Sequence, residues 1–247
     1  MYFYLADYIT AFLILFGAIL YSSVGHGGAS SYIAIMSLMG TPVGTIKPIG
    51  LILNIIVSSI GGFRFIKSNF FSFKVFVPVT IGSVPAAFIG GYIELPPEFY
   101  RPLIGFILII AGTQFLLNFY KYAKKSGAEV NLIIAFFGGA LIGLLSGLTG
   151  TGGGIFLSPL IIFLGWTTVK QASGTAAAFI FFNSISGLSG NLSSMQSLPP
   201  TIFLFSGAVL IGVLIGTQLG LKHLNVSGIQ KALGAVLIIA GLKFLFT

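Results

Sequence analysis

The sequence predicts an all-α fold: a polytopic transmembrane helical bundle of two inverted-topology repeats, about five elements each, with broken or half helices at glycine motifs. Three observations lead there: composition, the length of the apolar runs, and a duplication whose halves carry opposite charge polarity. Of 247 residues, 56% are hydrophobic and 6% are charged, and the mean hydropathy is +1.06. A soluble domain carries about 25% charged residues. This chain has too few polar groups to cover a soluble surface, and it is too apolar for disorder.

A helix needs about 20 mostly apolar residues to cross a hydrocarbon core about 30 Å thick. Ten apolar elements are legible, near 8–24, 28–40, 46–64, 74–93 and 101–120, then near 131–149, 153–165, 168–189, 201–221 and 228–246. The runs at 28–40 and 153–165 are short, and each follows a glycine cluster. They read as half-helices that begin inside the membrane. The chain opens Met1-Tyr2-Phe3-Tyr4 with no basic stretch, so the first run is expected to be a retained span.

The net charge is +8. Its basic residues stand singly or in short groups between apolar runs, which reads as membrane-flanking anchors and argues against nucleic acid as a partner. Arg64, Lys67 and Lys74 flank one loop, Lys121, Lys124 and Lys125 fill the loop between halves, and Lys222, His223 and Lys231 flank the last. Basic loops stay cytoplasmic. The loop with Glu94 and Glu98 and the uncharged stretch 191–200 then fall on the opposite face. The halves are therefore expected to be oppositely oriented, with the chain in the cell (cytoplasmic or inner) membrane.

The duplication is visible in the letters. Val24-Gly25-His26-Gly27-Gly28-Ala29 matches Thr149-Gly150-Thr151-Gly152-Gly153-Gly154 at a shift of 125. Ile81-Gly82 and Gly90 match Ile211-Gly212 and Gly220 at a shift of 130. Gly105 and Leu108-Ile109-Ile110-Ala111-Gly112 match Gly234 and Leu237-Ile238-Ile239-Ala240-Gly241 at a shift of 129. Residues 1–125 and 126–247 are read as the two repeats. Inverted repeats characterise secondary transporters, whose sites lie near the midplane between them.

Consecutive glycines break a helix, and broken backbone in lipid is tolerable only where it lines a cavity or binds something. The helix that follows presents free N–H groups and a positive dipole end, which attract anions. Gly25, His26, Gly27 and Gly28 in the first half, and Gly150, Thr151, Gly152, Gly153 and Gly154 in the second, are therefore the candidate substrate-binding residues. Two such N-termini are expected to converge on one small anion. Isolated pairs such as Gly90-Gly91 and Gly138-Gly139 read instead as close helix packing.

Polar neighbours extend the set. His26 is the one titratable group expected at mid-membrane depth, where such groups are functional candidates. Thr151 holds the matching place and offers a hydroxyl. Ser22, Ser23, Ser146 and Thr149 precede the breaks, with binding and helix-backbone bonding both open. Asn54, Thr175 and Asn183 lie on the third and eighth elements. Gln114 and Gln218 are weaker candidates of the same kind. Lys47 and Lys170 follow the short helices, either snorkelling to the interface or drawing anions toward a vestibule.

Several chemistries are disfavoured. There is no cysteine, and the two histidines and four carboxylates are scattered, so no metal site or cofactor is expected. No nucleophile–base pair stands out, and no enzyme activity is expected. The carboxylates fall at predicted ends and loops, which disfavours a buried carboxylate relay. A coupling ion, H⁺ or Na⁺, remains open.

The second half reads Gly150-Thr151-Gly152-Gly153-Gly154, Pro159-Leu160, Gly165 and Ala172-Ser173-Gly174-Thr175-Ala176. In this combination, and across essentially the whole chain, it resembles the TauE/SafE sulfite exporter family, the toluene-sulfonate uptake permeases. The resemblance implies a membrane permease for a small sulfur-containing anion such as sulfite, sulfoacetate or another sulfonate, and it adds weight to Thr175. The alternatives are an anion channel, or a permease for another small anion such as a carboxylate. The first half departs from the pattern at Ala29 and at Lys47-Pro48-Ile49-Gly50, so the two half-sites are expected to differ.

Overall fold

A computed structural model describes residues 3–23, 25–117, 127–193, 198–221 and 227–246. Ten helices follow one another: α1 (Leu5–Ser23), α2 (Ala29–Leu38), α3 (Val43–Lys67), α4 (Phe73–Tyr92), α5 (Pro97–Leu116), α6 (Leu132–Thr149), α7 (Gly154–Phe163), α8 (Val169–Gly190), α9 (Thr201–Leu221) and α10 (Ser227–Phe246). The described residues contain helices and no strands. All ten expected elements are present, with ends moved by a few residues. The two short elements are helices of 10 residues each. At 1.5 Å per residue each is about 15 Å long, half a hydrocarbon core.

Five of the described helices, α1, α3, α4, α6 and α9, are long and apolar enough to cross a membrane. α8 is long enough at 22 residues, but it carries Thr175, Asn183, Ser184, Gly174 and Gly187 on buried positions. Its polar groups face protein, so its composition is that of a helix inside a bundle. Exposed apolar side chains include Phe12 and Phe16 of α1, Phe88 of α4, Phe106 of α5 and Phe203 of α9, with Phe182 and Ile185 on α8 itself.

Glycine seams set the packing. Gly139, Gly143 and Gly147 of α6 lie against the backbone of Val79, Ser83 and Ala87 of α4, so these helices run parallel. Gly212, Gly216 and Gly220 of α9 lie likewise against Leu15, Ile19 and Ser23 of α1, also parallel. Gly105 faces Gly241 and Gly112 faces Gly234, so α5 and α10 run antiparallel. α3 and α8 are antiparallel too, with Leu51 near Gly187 and Phe65 near Gly174. Of the pairs read as packing, Gly90 lies against α6 and Gly91 against Gly187 of α8. Small residues let backbones approach, which favours association in lipid, where no hydrophobic drive between helices exists.

A methyl group on Gly143 would overlap the Ser83 carbonyl, which is backbone and cannot rotate away. Gly143→Leu is therefore expected to wedge α4 from α6 and abolish folded yield, since overpacking costs about 1–3 kcal/mol even for small insertions. Size-exclusion chromatography in detergent checks this; a monodisperse variant at wild-type yield contradicts it.

The charges sort to two ends. At one, Lys170 sits over the Phe70 ring at 5.1 Å, which brings the α8 start to the loop flanked by Lys67 and Lys74. At the other, Ser193 Oγ donates to Glu94 Oε1 at 2.8 Å, joining the loop after α8 to the loop after α4. The loop expected to oppose the basic ends is thus paired with the uncharged stretch it was grouped with. Lys121, Lys124, Lys125, Lys222 and His223 lie outside the described residues.

Candidate functional site

Each glycine run makes a tight turn between a long helix and a short one. Gly25 and Gly150 leave α1 and α6 in the left-handed region, at φ +77° and +82°. Gly28 and Gly153 enter α2 and α7 the same way, at φ +93° and +77°. These four places match in pairs at the shift of 125 read from the letters. Only glycine adopts this backbone without cost. The second turn has one more such residue, Gly152 at φ +76°.

The turns approach each other across the α3–α8 crossing. Gly25 lies against Ser173 of α8, and Gly150 against the Lys47 backbone of α3. Between them stands Asn54. A methyl on Gly27 would sit 2.7 Å from Asn54 Oδ1, and one on Gly152 would overlap Asn54 Nδ2. Ile180 of α8 touches both glycines as well. Asn54 is fully buried, so its amide joins the two motifs inside the bundle.

The orientation of that amide follows from a donor. The Ala29 N–H, first of α2, donates to Asn54 Oδ1 at 3.1 Å. An N–H requires an acceptor, so Oδ1 faces α2 and the NH₂ group faces Gly152. Asn54 thus supplies the cap that Gly28, lacking a side chain, cannot. Its Nδ2 is buried and has no partner.

The first turn of α7 differs. Its N-cap is Gly153, with no side-chain cap. Ser184 of α8 stands against Gly152, and its Oγ is buried without a partner. Ser146 of α6 lies against Gly153, and its Oγ is likewise unpaired. Asn183 donates from Nδ2 to Phe179 O at 2.9 Å, and its Oδ1 is unpaired. Buried polar groups are nearly always bonded, so Asn54 Nδ2, Ser184 Oγ and Ser146 Oγ leave hydrogen-bonding capacity unused beside this uncapped helix start. The two N-termini are therefore not equivalent: the Asn54 side chain takes α2's first amide, and no side chain caps α7.

The other candidates are placed as follows. His26 is buried, and its backbone N–H donates to Tyr21 O at 3.0 Å, closing α1. Thr151 Oγ1 lies 3.0 Å from Thr149 Oγ1, and Thr149 Oγ1 donates to Leu145 O at 2.6 Å. Ser22 Oγ donates to Ala18 O at 2.5 Å and Ser23 Oγ to Leu20 O at 2.6 Å, both within α1. Gly154 lies against Ile180. Thr175 Oγ1 accepts from Ser72 N–H at 3.1 Å and latches the α3–α4 loop to α8. Gln114 is half-buried and Gln218 exposed.

Lys47 does not snorkel. It is 7% exposed, and its Nζ donates to the carbonyls of Gly90, Gly91 and Ile93 at 3.2, 2.9 and 3.0 Å. It caps the α4 C-terminus, where a cation complements the dipole. Ser184, Tyr32 and Tyr100 were not legible as part of the site. Tyr32 OH donates to Gly27 O at 3.1 Å, and Tyr100 OH to Thr149 O at 3.1 Å. Tyr32 stands four residues into α2, a spacing that could have pointed back to the turn; Tyr100 arrives from a distant helix with no local signal.

Comparison with known proteins places the chain in a family. The Sulfite exporter TauE/SafE family matches residues 10–244. A protein of Sinorhizobium fredii described as "Probable membrane transporter protein y4hK" is 36% identical over 242 residues, covering 96% of each chain. "Probable membrane transporter protein YjnA" of Bacillus subtilis is 22% identical over 248 residues, covering 94% of this chain and 96% of that one. No solved structure matches. With paired glycine turns buried in a helical bundle and a match that runs nearly end to end, the chain belongs to the TauE/SafE family of membrane transporters.

Proposed function

We propose that the protein is a permease that moves a small sulfur-bearing oxyanion, such as sulfite, sulfoacetate or another sulfonate, through a site at the start of α7. The observation that carries this is the Asn54 amide: Ala29 holds its oxygen, so its unpaired NH₂ faces the uncapped α7 turn beside Ser184 and Ser146. Hydrogen-bond donors at a helix N-terminus favour an oxyanion by charge and by geometry. Thr151 and His26 stand in the matching places of the two turns and complete the polar surround. Thr175 serves the loop, and its role in binding is indirect.

In this reading residues 1–125 and 126–247 are two inverted repeats. The parallel pairs α1–α9 and α4–α6 and the antiparallel pairs α3–α8 and α5–α10 support it, because an in-plane two-fold axis exchanges the first two pairs and reverses the last two. The basic end faces the cytoplasm of the cell's inner membrane. The turns are closely packed around Asn54 and Ile180, so passage requires α3 and α8 to part, as rocking lobes would allow.

Purified protein in liposomes tests the function. Saturable ³⁵S-sulfite uptake, accelerated by unlabelled sulfite on the far side, is the expected result. Ohmic single-channel current would replace the permease by an anion channel. Uptake competed by acetate and not by sulfonates would move the substrate to the carboxylates.

A further inference from the structure

We infer that the cleft at the Glu94 end is an anion-entry subsite whose charge is supplied by Lys47. This rests on the permease reading above and adds a second station to it. The cleft has a volume of about 170 Å³ and is lined by Val43, Lys47, Glu94, Leu95, Tyr100 and Asn191, among others. Two of these reach the second glycine turn. Tyr100 OH holds Thr149 O, and the Lys47 carbonyl is where a methyl on Gly150 would sit 2.8 Å away. The floor of the cleft is thus the wall of the α7 site.

Lys47 is suited to receive an anion there. Its three hydrogen-bond acceptors are all neutral carbonyls, at the α4 end. Carbonyls satisfy the N–H groups without cancelling the charge. The carboxylate in the same cleft, Glu94, is engaged by Ser193 and competes with any entering anion for the ammonium. Asn191 Nδ2 donates to Gly91 O at 3.1 Å, so α8 shares the carbonyl that Lys47 holds. An anion that draws Lys47 off these carbonyls loosens the tie between α3 and α4 at the mouth of the site. At the matching place against Gly25 stands uncharged Ser173, and the lysine one turn before it, Lys170, sits over the Phe70 ring, so the carbonyl-held ammonium belongs to the Glu94 face.

Sided ³⁵S-sulfite uptake in vesicles of known orientation tests this. Lys47→Gln keeps a donor for the α4 carbonyls and removes the charge. Its KM is expected to rise about tenfold from the Glu94 face and to stay within twofold from the other, with the melting temperature close to wild type. Lys47→Arg should restore the wild-type KM. Glu94→Gln, on an exposed loop, should lower KM from the same face by removing the competitor. Equal KM shifts on both faces, or no shift in Lys47→Gln and Glu94→Gln, overturn the inference. Failure of the central site reads out separately, as wild-type uptake by Asn54→Asp from both faces.

Discussion

Gly152→Ala is expected to reduce transport more than 100-fold. Gly152 sits at φ +76°, where an L-residue is strained by about 1–2 kcal/mol. Its new methyl would overlap Asn54 Nδ2 and lie 2.8 Å from Ile180 Cγ2 and 3.2 Å from Ser184 Oγ. Asn54 cannot yield without releasing the Ala29 N–H, so one methyl group disturbs both turns. With overpacking at about 1–3 kcal/mol, the destabilisation sums to about 2–5 kcal/mol. Gly207→Ala is the control: nothing lies within 4 Å of its added methyl, and α9 there is helical. It should be neutral or slightly stabilising. Liposome flux, with size-exclusion chromatography to count folded protein, decides the matter. A Gly152→Ala protein that transports like wild type would remove the second turn from the mechanism.

Asn54→Asp is the second large effect, and it separates binding from architecture. The aspartate is the same size and still accepts from Ala29, where a carboxylate caps a helix at least as well as an amide. The group facing Gly152 changes from a donor to a negatively charged acceptor. Sulfite affinity is expected to fall at least 100-fold, about 2.7 kcal/mol at 1.36 kcal/mol per decade. Asn54→Leu removes cap and donor together and should add about 1 kcal/mol of lost stability. Isothermal titration in detergent measures the affinity. An aspartate variant that binds sulfite within threefold of wild type would sink the α7 site.

Much of the fold was legible because lipid imposes strict rules on the chain. Apolar length marks α3, α4, α6 and α9 to within a few residues. The duplicated glycine runs mark α2 and α7 as short helices, since positive φ at Gly25, Gly28, Gly150 and Gly153 is a local backbone demand. Asn54 was identifiable as a buried amide on the third element, and Ser146 as a hydroxyl before the break. Ser184 was not, because nothing local separates it from the other hydroxyls of α8. For Lys47 the sequence left snorkelling and anion attraction both open, because its carbonyl partners lie more than 40 positions away on α4.

The sequence by itself determined the solvent, the number of elements and the places where the backbone breaks. Each of these follows from composition or from a single residue's conformational range. The tertiary structure alone decided which helix start is capped and which is open. That choice depends on where the α3–α8 crossing places one amide, with its oxygen on Ala29 and its nitrogen toward Gly152. Hydrogen-bond partners of this kind come from residues 25 or more positions apart, and no local pattern in the chain encodes their meeting.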